Sequence, residues 1–248
     1  MKKLALLIVF IVFIQVMPVS ANSYTRNNFV AIMYHKLSEN PSEWSPWCTS
    51  PQNFENDILY LKEKGYVFKT AGEIAQNPPD PNQKTAVLTF DDGYMSDYVY
   101  ALPILEKHGA CATFFVIGSR LNYSDYLTDD TLKLLSQSPR AEIGNHSYYL
   151  HLNAYLTIKR LHIKRTPNYV LNDFAHNKSH LEKMIGRPVT SLSYPNGVYS
   201  ANSDRLVHER GLGNITFSTG GEPYVFPTAN IVGRRNRGHE DLITDIAK

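Results

Sequence analysis

The sequence predicts an α/β protein built on a parallel sheet that is closed, or nearly closed, into a barrel. Seven short runs rich in β-branched and aromatic residues recur along the chain, and helical patterns separate them. Most of these runs are continuously apolar, as expected for strands that are buried on both faces. Reactive polar residues follow several runs directly, and a parallel barrel collects such residues on one face.

The predicted elements alternate along the chain. We expect strands at residues 29–34, 85–90, 111–117, 141–145, 190–194, 213–218 and 230–234. We expect helices at residues 51–64, 96–108, 128–136, 170–185 and 202–210. The first helix has a capping Ser50, a first-turn Pro51 and a closing Gly65, and glycines also close three later helices. The proline-rich stretch 78–82 predicts a loop between a helix and a strand.

The first 21 residues have the pattern of a signal peptide. Lys2 and Lys3 precede an apolar run of 13 residues, and small residues that suit signal peptidase follow at 19–21. The run is short for a membrane-spanning helix, which needs roughly 20 residues, although a retained N-terminal anchor is the alternative. We therefore expect residues 22–248 to form one domain that is secreted or held at the cell surface.

The charge balance argues against a nucleic-acid partner. Without residues 1–21, Lys+Arg falls from 25 to 23 while Asp+Glu stays at 23, so the net charge is about zero. The two cysteines, Cys48 and Cys111, do not form a disulfide framework, and pairing and free buried thiols are equally compatible with the sequence.

Two adjacent carboxylates, Asp91 and Asp92, follow the second predicted strand. A metal would separate their roles, because one carboxylate can bind the ion while the other stays close enough to act as a base. The alternative is an ordinary turn, since Asp-Gly is a common turn dipeptide.

Two histidines, His146 and His151, lie at and beyond the end of the fourth predicted strand. Imidazole is a common ligand of transition metals. A spacing of five residues separates the rings by roughly 140° on an ideal helix and places them on opposite faces of a strand. The pair can therefore share an ion only in a loop or an irregular helical turn, and two unrelated loop histidines are the alternative.

These motifs resemble the polysaccharide deacetylases of the NodB-homology type, carbohydrate esterase family 4. The resemblance runs from about Phe29 to the C-terminus, and its carriers are residues 29–35, 89–93, 112–116, 142–147 with His151, and 193–197. The family histidines are usually four residues apart. The five-residue spacing resembles the branch that deacetylates exopolysaccharides such as poly-N-acetylglucosamine.

The resemblance implies a distorted (β/α)7 barrel and a hydrolase that removes acetyl groups from N-acetylglucosamine units of a polysaccharide. It implies Asp91 as the catalytic base, and Asp92, His146 and His151 as ligands of a divalent metal, most often zinc. Alternatives are O-deacetylation of acetylxylan and a catalytically silent glycan-binding protein. The expected partner is an acetylated polysaccharide, contact with cell wall or extracellular matrix is left open, and we expect a monomer.

The outer part of the expected site departs from the family pattern. Many relatives carry an arginine where this chain has Ser193, so the base must be oriented by another group. The general-acid histidine near the last strand has no clear counterpart, since the motif around His239 does not match. His35 is a candidate for the acid or for substrate contact, and a supporting structural role is equally compatible.

The remaining candidates lie near the fifth and fourth predicted strands. The backbone N–H of Asn196 is a candidate for stabilising the oxyanion. Tyr194, Pro195 and Tyr148 are candidates for substrate contact, although aromatic residues near strand ends often only pack.

Overall fold

The computed structural model describes residues 28–152, 167–220, 231–241 and 243–246. The predicted signal peptide at residues 1–21 lies outside this part of the chain. Within these ranges, no helix combines the length and the apolar character that crossing a membrane requires.

Ten strands and seven α-helices make up the described part of the chain. The strands are β1 (Phe29–Tyr34), β2 (Lys36–Leu37), β3 (Cys48–Thr49), β4 (Val67–Phe68), β5 (Thr85–Asp92), β6 (Ala112–Val116), β7 (Ala141–Asn145), β8 (Ser191–Ser193), β9 (Ile215–Thr219) and β10 (Ile231–Asn236). The helices are α1 (Pro51–Glu63), α2 (Ala71–Gln76), α3 (Leu102–His108), α4 (Asp129–Gln137), α5 (Pro167–Ile185), α6 (Ala201–Glu209) and α7 (Ile243–Ile246). A π-helical turn, Asp97–Ala101, leads into α3.

Seven parallel strands close into a barrel, which confirms the predicted fold. Their order is β1, β10, β9, β8, β7, β6 and β5, and β5 pairs with β1 along six residues to complete the ring. All seven predicted strands and all five predicted helices are present, with small differences in their ends. The short strands β2, β3 and β4 and the helices α2 and α7 were not predicted, because elements of two to six residues show too few repeats of a periodic pattern.

The barrel strands divide their side chains between two layers. In β1, Phe29 and Ala31 pack with Val87, Phe115 and other inward residues in the barrel interior. The alternate residues of the same strands belong to a larger cluster with the surrounding helices, whose members include Val30, Ile32, Leu88, Phe90, Phe54 and Leu105. Continuous apolar runs are thus required, because each strand is covered on both faces.

Both cysteines are buried and free. The structure therefore resolves the two alternatives left by the sequence in favour of unpaired thiols.

Candidate metal centre

The two adjacent carboxylates lie at the carboxyl end of β5. Successive strand residues point to opposite faces, so a regular strand would separate the side chains of Asp91 and Asp92. Asp92 has a φ of 80°, a left-handed conformation that is strained for most residues other than glycine. This turn in the backbone allows both carboxylates to face the same cavity.

Asp92 and the two histidines converge on a small volume. The Nε2 atom of His146 lies 3.4 Å from Oδ1 of Asp92, and the Nε2 atom of His151 lies 3.3 Å from the same oxygen. The two imidazole ring centres are 5.0 Å apart. A carboxylate and two imidazoles therefore present one atom each toward a common point.

The spacing of these atoms fits a transition-metal site. Ligands about 2.1 Å from a tetrahedral zinc ion lie roughly 3.4 Å from one another, which agrees with the two measured distances. Oδ1 of Asp92 is buried without a hydrogen-bond partner in the described part of the chain, as expected of an atom reserved for a cation. A set of two nitrogens and one oxygen also leaves positions open, as in catalytic rather than structural zinc sites.

A hydrogen bond to Nδ1, on the opposite side of the ring from Asp92, sets the tautomer of His146. Its Nδ1 atom lies 2.9 Å from the carbonyl oxygen of Ser193, which can only accept a hydrogen bond. The proton of the neutral ring therefore sits on Nδ1, and the lone pair of Nε2 faces Asp92. This arrangement is common for metal-binding histidines, because the second hydrogen bond fixes the ring.

Burial and neighbouring charges shift the pKa values of the carboxylate and the histidines in opposite directions. Burial raises the pKa of Asp92, but His146, His151 and His35 together outweigh it and hold that pKa well below its usual range. The pKa of His151 is lowered, mainly by burial, whereas the carboxylates of Asp91 and Asp92 outweigh burial at His146 and raise its pKa. A deprotonated carboxylate beside a neutral imidazole is the state that binds a metal ion.

The loop between the histidines resolves their unusual spacing. Ser147 has a φ of 73°, and a 3-10 turn, Leu150–Leu152, carries His151 back toward His146. The carboxylate of Asp173 on α5 accepts hydrogen bonds from the backbone N–H groups of residues 148 and 149, at 2.7 and 2.8 Å. Helix α5 therefore holds the loop through these hydrogen bonds. The predicted irregular turn between the histidines is confirmed.

A second helix residue supports the same loop. The side-chain amide of Asn177 donates to the backbone of Val116 and to Oδ1 of Asn145. Oδ1 of Asn145 also accepts from the N–H of Ser147. These buried hydrogen bonds connect α5 to the residues on both sides of His146.

Arg234 on β10 forms an ion pair with Asp91, and it is the orienting group that the sequence did not identify. Its Nη1 and Nη2 atoms lie 2.7 Å from Oδ1 and Oδ2 of Asp91, and Nη2 also donates to Oγ of Ser193. Burial raises the pKa of Asp91, but Arg234 and His146 outweigh it, so the net direction is downward. The family pattern has an arginine at the position of Ser193 on β8, whereas in this chain the arginine that binds Asp91 comes from β10.

A cavity of about 470 Å³ opens onto the cluster. Its lining includes Asp91, Asp92, His146 and His151, and also the predicted site residues His35 and Asn196, with Trp47, Tyr94 and Thr219. Nδ1 of His35 is buried without a hydrogen-bond partner among the described residues, and the pKa of His35 is lowered, chiefly by burial. Asn196 has a φ of 54° in the turn after β8.

Two predicted substrate contacts, Tyr194 and Pro195, do not line this cavity. Tyr194 is completely buried, and its hydroxyl donates to Asp204 on α6 at 2.8 Å. The residue after Ser193 points away from the barrel axis, so the ring packs into the helix layer. Pro195 is buried as well, and neither residue lines the cavity.

The other two candidates lie away from the carboxylates. Tyr148 packs against His176, with ring centres 4.3 Å apart, and it lines a neighbouring cavity. His239 stacks on Trp44, with ring centres 4.0 Å apart, in a different part of the surface. Substrate contact by Tyr148 stays a prediction.

Comparisons with known proteins agree with this architecture. A family model described as polysaccharide deacetylase matches residues 79–215. The chain is 29% identical over 184 residues to the Bacillus subtilis (strain 168) protein YxkH, whose name assigns it to the polysaccharide deacetylases. It is 25% identical over 147 residues to the poly-beta-1,6-N-acetyl-D-glucosamine N-deacetylase of Escherichia coli (strain K12).

These matches cover the relatives only in part. The aligned region is 73% of this chain and 61% of the Bacillus protein, and 52% of this chain and 22% of the Escherichia protein. The chain thus spans less than two thirds of the length of either relative.

Solved structures show the same fold. The structure of IcaB from Ammonifex degensii superimposes with a TM-score of 0.73 at 24% identity, covering 84% of this chain and 91% of that one. The Streptococcus pyogenes deacetylase PplD, in complex with acetate, gives a TM-score of 0.73 at 20% identity, covering 89% and 98%.

Proposed function

The chain belongs to the polysaccharide deacetylase family, and on this basis we propose that it is a metal-dependent hydrolase that removes acetyl groups from N-acetylglucosamine units of a polysaccharide. The observation that carries the proposal is the convergence of His146 and His151 on one oxygen of Asp92. Beside that oxygen lies a second carboxylate, Asp91, which Arg234 holds in place.

The donor set favours zinc as the metal. Asp92, His146 and His151 would hold it, and when bound it would activate water and polarise the acetamide carbonyl. Magnesium and calcium are disfavoured, because they prefer sites made of oxygen ligands and two of these three ligands are imidazole nitrogens.

Asp91 is the proposed base. Its low pKa keeps it ionised at neutral pH, and Arg234 fixes both of its oxygens. In this role it accepts one proton of the attacking water, whose oxygen forms a bond to the acetyl carbon. Collapse then breaks the carbon–nitrogen bond and gives acetate and the free amine of the sugar.

Two further residues of the cavity complete the proposed mechanism. Asn196 lines the cavity, and its backbone N–H would donate a hydrogen bond to the developing oxyanion. His35 is neutral at rest because burial lowers its pKa. It would return a proton to the leaving amine only after receiving one from the reaction.

A poly-N-acetylglucosamine is the proposed substrate class. Support comes from the name of the Escherichia relative and from the five-residue spacing of the histidines, which the structure accommodates in the loop held by Asp173. The proposal includes export of the protein, with residues 1–21 as its signal peptide.

Acetate release tests the proposal. Purified protein should release acetate from N-acetylglucosamine oligomers, lose this activity with a chelator and recover it with added zinc. His146→Ala should abolish it, whereas His108→Ala, on α3 and outside the cavity, should not. Full, chelator-insensitive activity in His146→Ala, or no acetate from any acetylated glycan with zinc-loaded protein, would contradict the proposal.

A further inference from the structure

Two histidines that the proposed mechanism does not use lie one turn apart on α5. His176 and His180 are four residues apart, so their side chains leave the helix on the same face. Their imidazole planes are inclined by only 4° to each other, and the ring centres are 6.4 Å apart. His176 is exposed, and His180 lines a cavity of about 370 Å³. A dissolved ion can therefore reach both rings.

The spacing of this pair is one that metal-binding helices use. Two histidines at positions i and i+4 bind zinc in the H-E-x-x-H helices of metalloproteases, because the helix holds both rings on one side of the ion. The ring centres on α5 are 6.4 Å apart, against 5.0 Å for the two imidazoles of the metal centre. Small rotations about the side-chain bonds close this difference, and the backbone of the helix does not have to move.

The ring nitrogens of the pair are not engaged elsewhere. Among the residues that the structure describes, no hydrogen bond or ion pair involves His176 or His180. His108 differs in this respect, since its Nε2 atom lies 2.6 Å from the carboxylate of Glu55. The cation between the two histidines in sequence, Lys178, is paired with Glu182 at 2.7 Å. Both imidazoles are thus free to bind an ion.

The pair offers two protein ligands rather than three. Within the described ranges, the metal centre is the one group of three potential ligands whose atoms lie within 4.8 Å of one another. Water therefore has to complete the coordination of an ion on α5. Affinity for nitrogen ligands rises along the first-row metals to Cu²⁺ and is lower for Zn²⁺. We therefore expect the pair to take Cu²⁺ in preference to zinc, and zinc to fill the three-ligand metal centre first.

The pair also packs against the loop between the two histidines of the metal centre. The ring of Tyr148 meets His176 edge-on, with ring centres 4.3 Å apart, and meets His180 in the same way at 5.4 Å. An ion that draws the two imidazoles together changes the surface on which Tyr148 packs. Since Tyr148 lies between His146 and His151 in the chain, this change reaches the loop that positions the metal ligands.

We propose that His176 and His180 form a second site for a transition-metal ion, Cu²⁺ foremost, and that its occupation lowers catalysis by displacing Tyr148. The binding stands on the pair of histidines alone. The effect on catalysis rests on the proposed function.

A copper titration tests the binding. Protein that carries His146→Ala and His151→Ala, and so lacks the metal centre, is titrated with Cu²⁺ and followed by calorimetry and electron paramagnetic resonance. We expect one Cu²⁺ ion per chain with the signature of two nitrogen ligands. Adding His176→Asn or His180→Asn should remove this ion, whereas adding His108→Ala should not. Equal copper binding in all of these variants, or no binding in any, would overturn the site.

Inhibition by copper tests the effect on catalysis. In zinc-loaded protein, one equivalent of Cu²⁺ should lower kcat/KM for acetate release from N-acetylglucosamine oligomers about fivefold, at the lower end of the usual coupling between two sites. His180→Asn should remove this inhibition and leave kcat/KM without copper unchanged. Zinc analysis of the same samples shows whether the metal centre keeps its ion.

The outcomes separate this inference from the proposed function. Equal inhibition in His180→Asn, or copper binding at the pair with no loss of kcat/KM, would overturn the effect on catalysis. A protein that binds copper through the pair but releases no acetate with zinc would contradict the proposed function and support the second site.

Discussion

Two buried aspartate–arginine pairs lie near the end of the last barrel strand, and they differ in what surrounds them. Arg234 binds Asp91 through two contacts of 2.7 Å, and Arg237 binds Asp57 through contacts of 2.8 and 3.1 Å. All four residues are at most 6% exposed. By burial and by geometry the two pairs are nearly equivalent.

Their neighbours are not equivalent. Asp57 on α1 also accepts a hydrogen bond from the hydroxyl of Tyr34, at 2.9 Å, within the aromatic layer between barrel and helices. Asp91 instead faces a cavity of about 470 Å³ and lies 3.7 Å from Nε2 of His146. A buried ion pair is thus a weak sign of function, whereas an ion pair beside other titratable groups at an open cavity is a stronger one.

The largest expected effect comes from removing the base of the first pair. Asp91→Asn should lower kcat for acetate release by roughly 10²–10⁴-fold, the usual contribution of a general base. Zinc content should be unchanged, because Asp91 is not one of the three converging residues. The measurement is steady-state kinetics with metal analysis of the same sample. Activity within threefold of the unchanged protein would exclude Asp91 as the base.

Removing the acid of the second pair should lower stability without lowering kcat. Asp57→Ala leaves the buried guanidinium of Arg237 without its counter-charge, and should lower the free energy of unfolding by about 3–5 kcal/mol. The kcat of the protein that remains folded should not change. Urea denaturation and active-site-normalised kinetics measure the two quantities. A loss of kcat as large as that of Asp91→Asn would remove the distinction between the pairs.

Removing the contact that holds the loop between the histidines should lower the affinity for zinc. Asp173→Ala removes the acceptor for the N–H groups of Tyr148 and Tyr149, and should weaken zinc binding by about 10–100-fold, as for other residues that orient metal ligands. Asn172→Ala, an exposed neighbour on the same helix, is the control. Zinc titration against a competing chelator gives both dissociation constants, and equal values would show that Asp173 does not position the ligands.

The smallest expected effect is a change in pH dependence. Arg234 lowers the pKa of Asp91 through a two-pronged contact, which a lysine cannot reproduce. Arg234→Lys should therefore raise the pKa of Asp91. Since the base must be ionised to act, the acidic limb of the profile of kcat/KM against pH should move to higher pH. Arg237→Lys should leave that limb in place. A limb that does not move, or that moves to lower pH, would contradict the role of Arg234.

The sequence predicted the seven barrel strands because most are continuous apolar runs separated by helical patterns, and it located Asp91, Asp92, His146 and His151 because they stand at or shortly after the ends of two of those runs. It did not locate Arg234, which is 143 residues from its partner and lies in a strand with no recognised motif. The charged residue at the end of the predicted strand 230–234 was the available signal. The sequence also did not predict that Tyr194 is buried in the helix layer, since side-chain direction after the short strand β8 depends on register rather than on composition.

Zinc binding by single-histidine variants tests the central claim most directly. The unchanged protein, stripped with a chelator, should take up one zinc ion per chain in a calorimetric titration. His146→Ala and His151→Ala should each lose this binding, while His108→Ala, on α3 and outside the cavity, should bind as the unchanged protein does. Stoichiometric zinc binding of unchanged affinity in both His146→Ala and His151→Ala would contradict the assignment of Asp92, His146 and His151 as the metal centre.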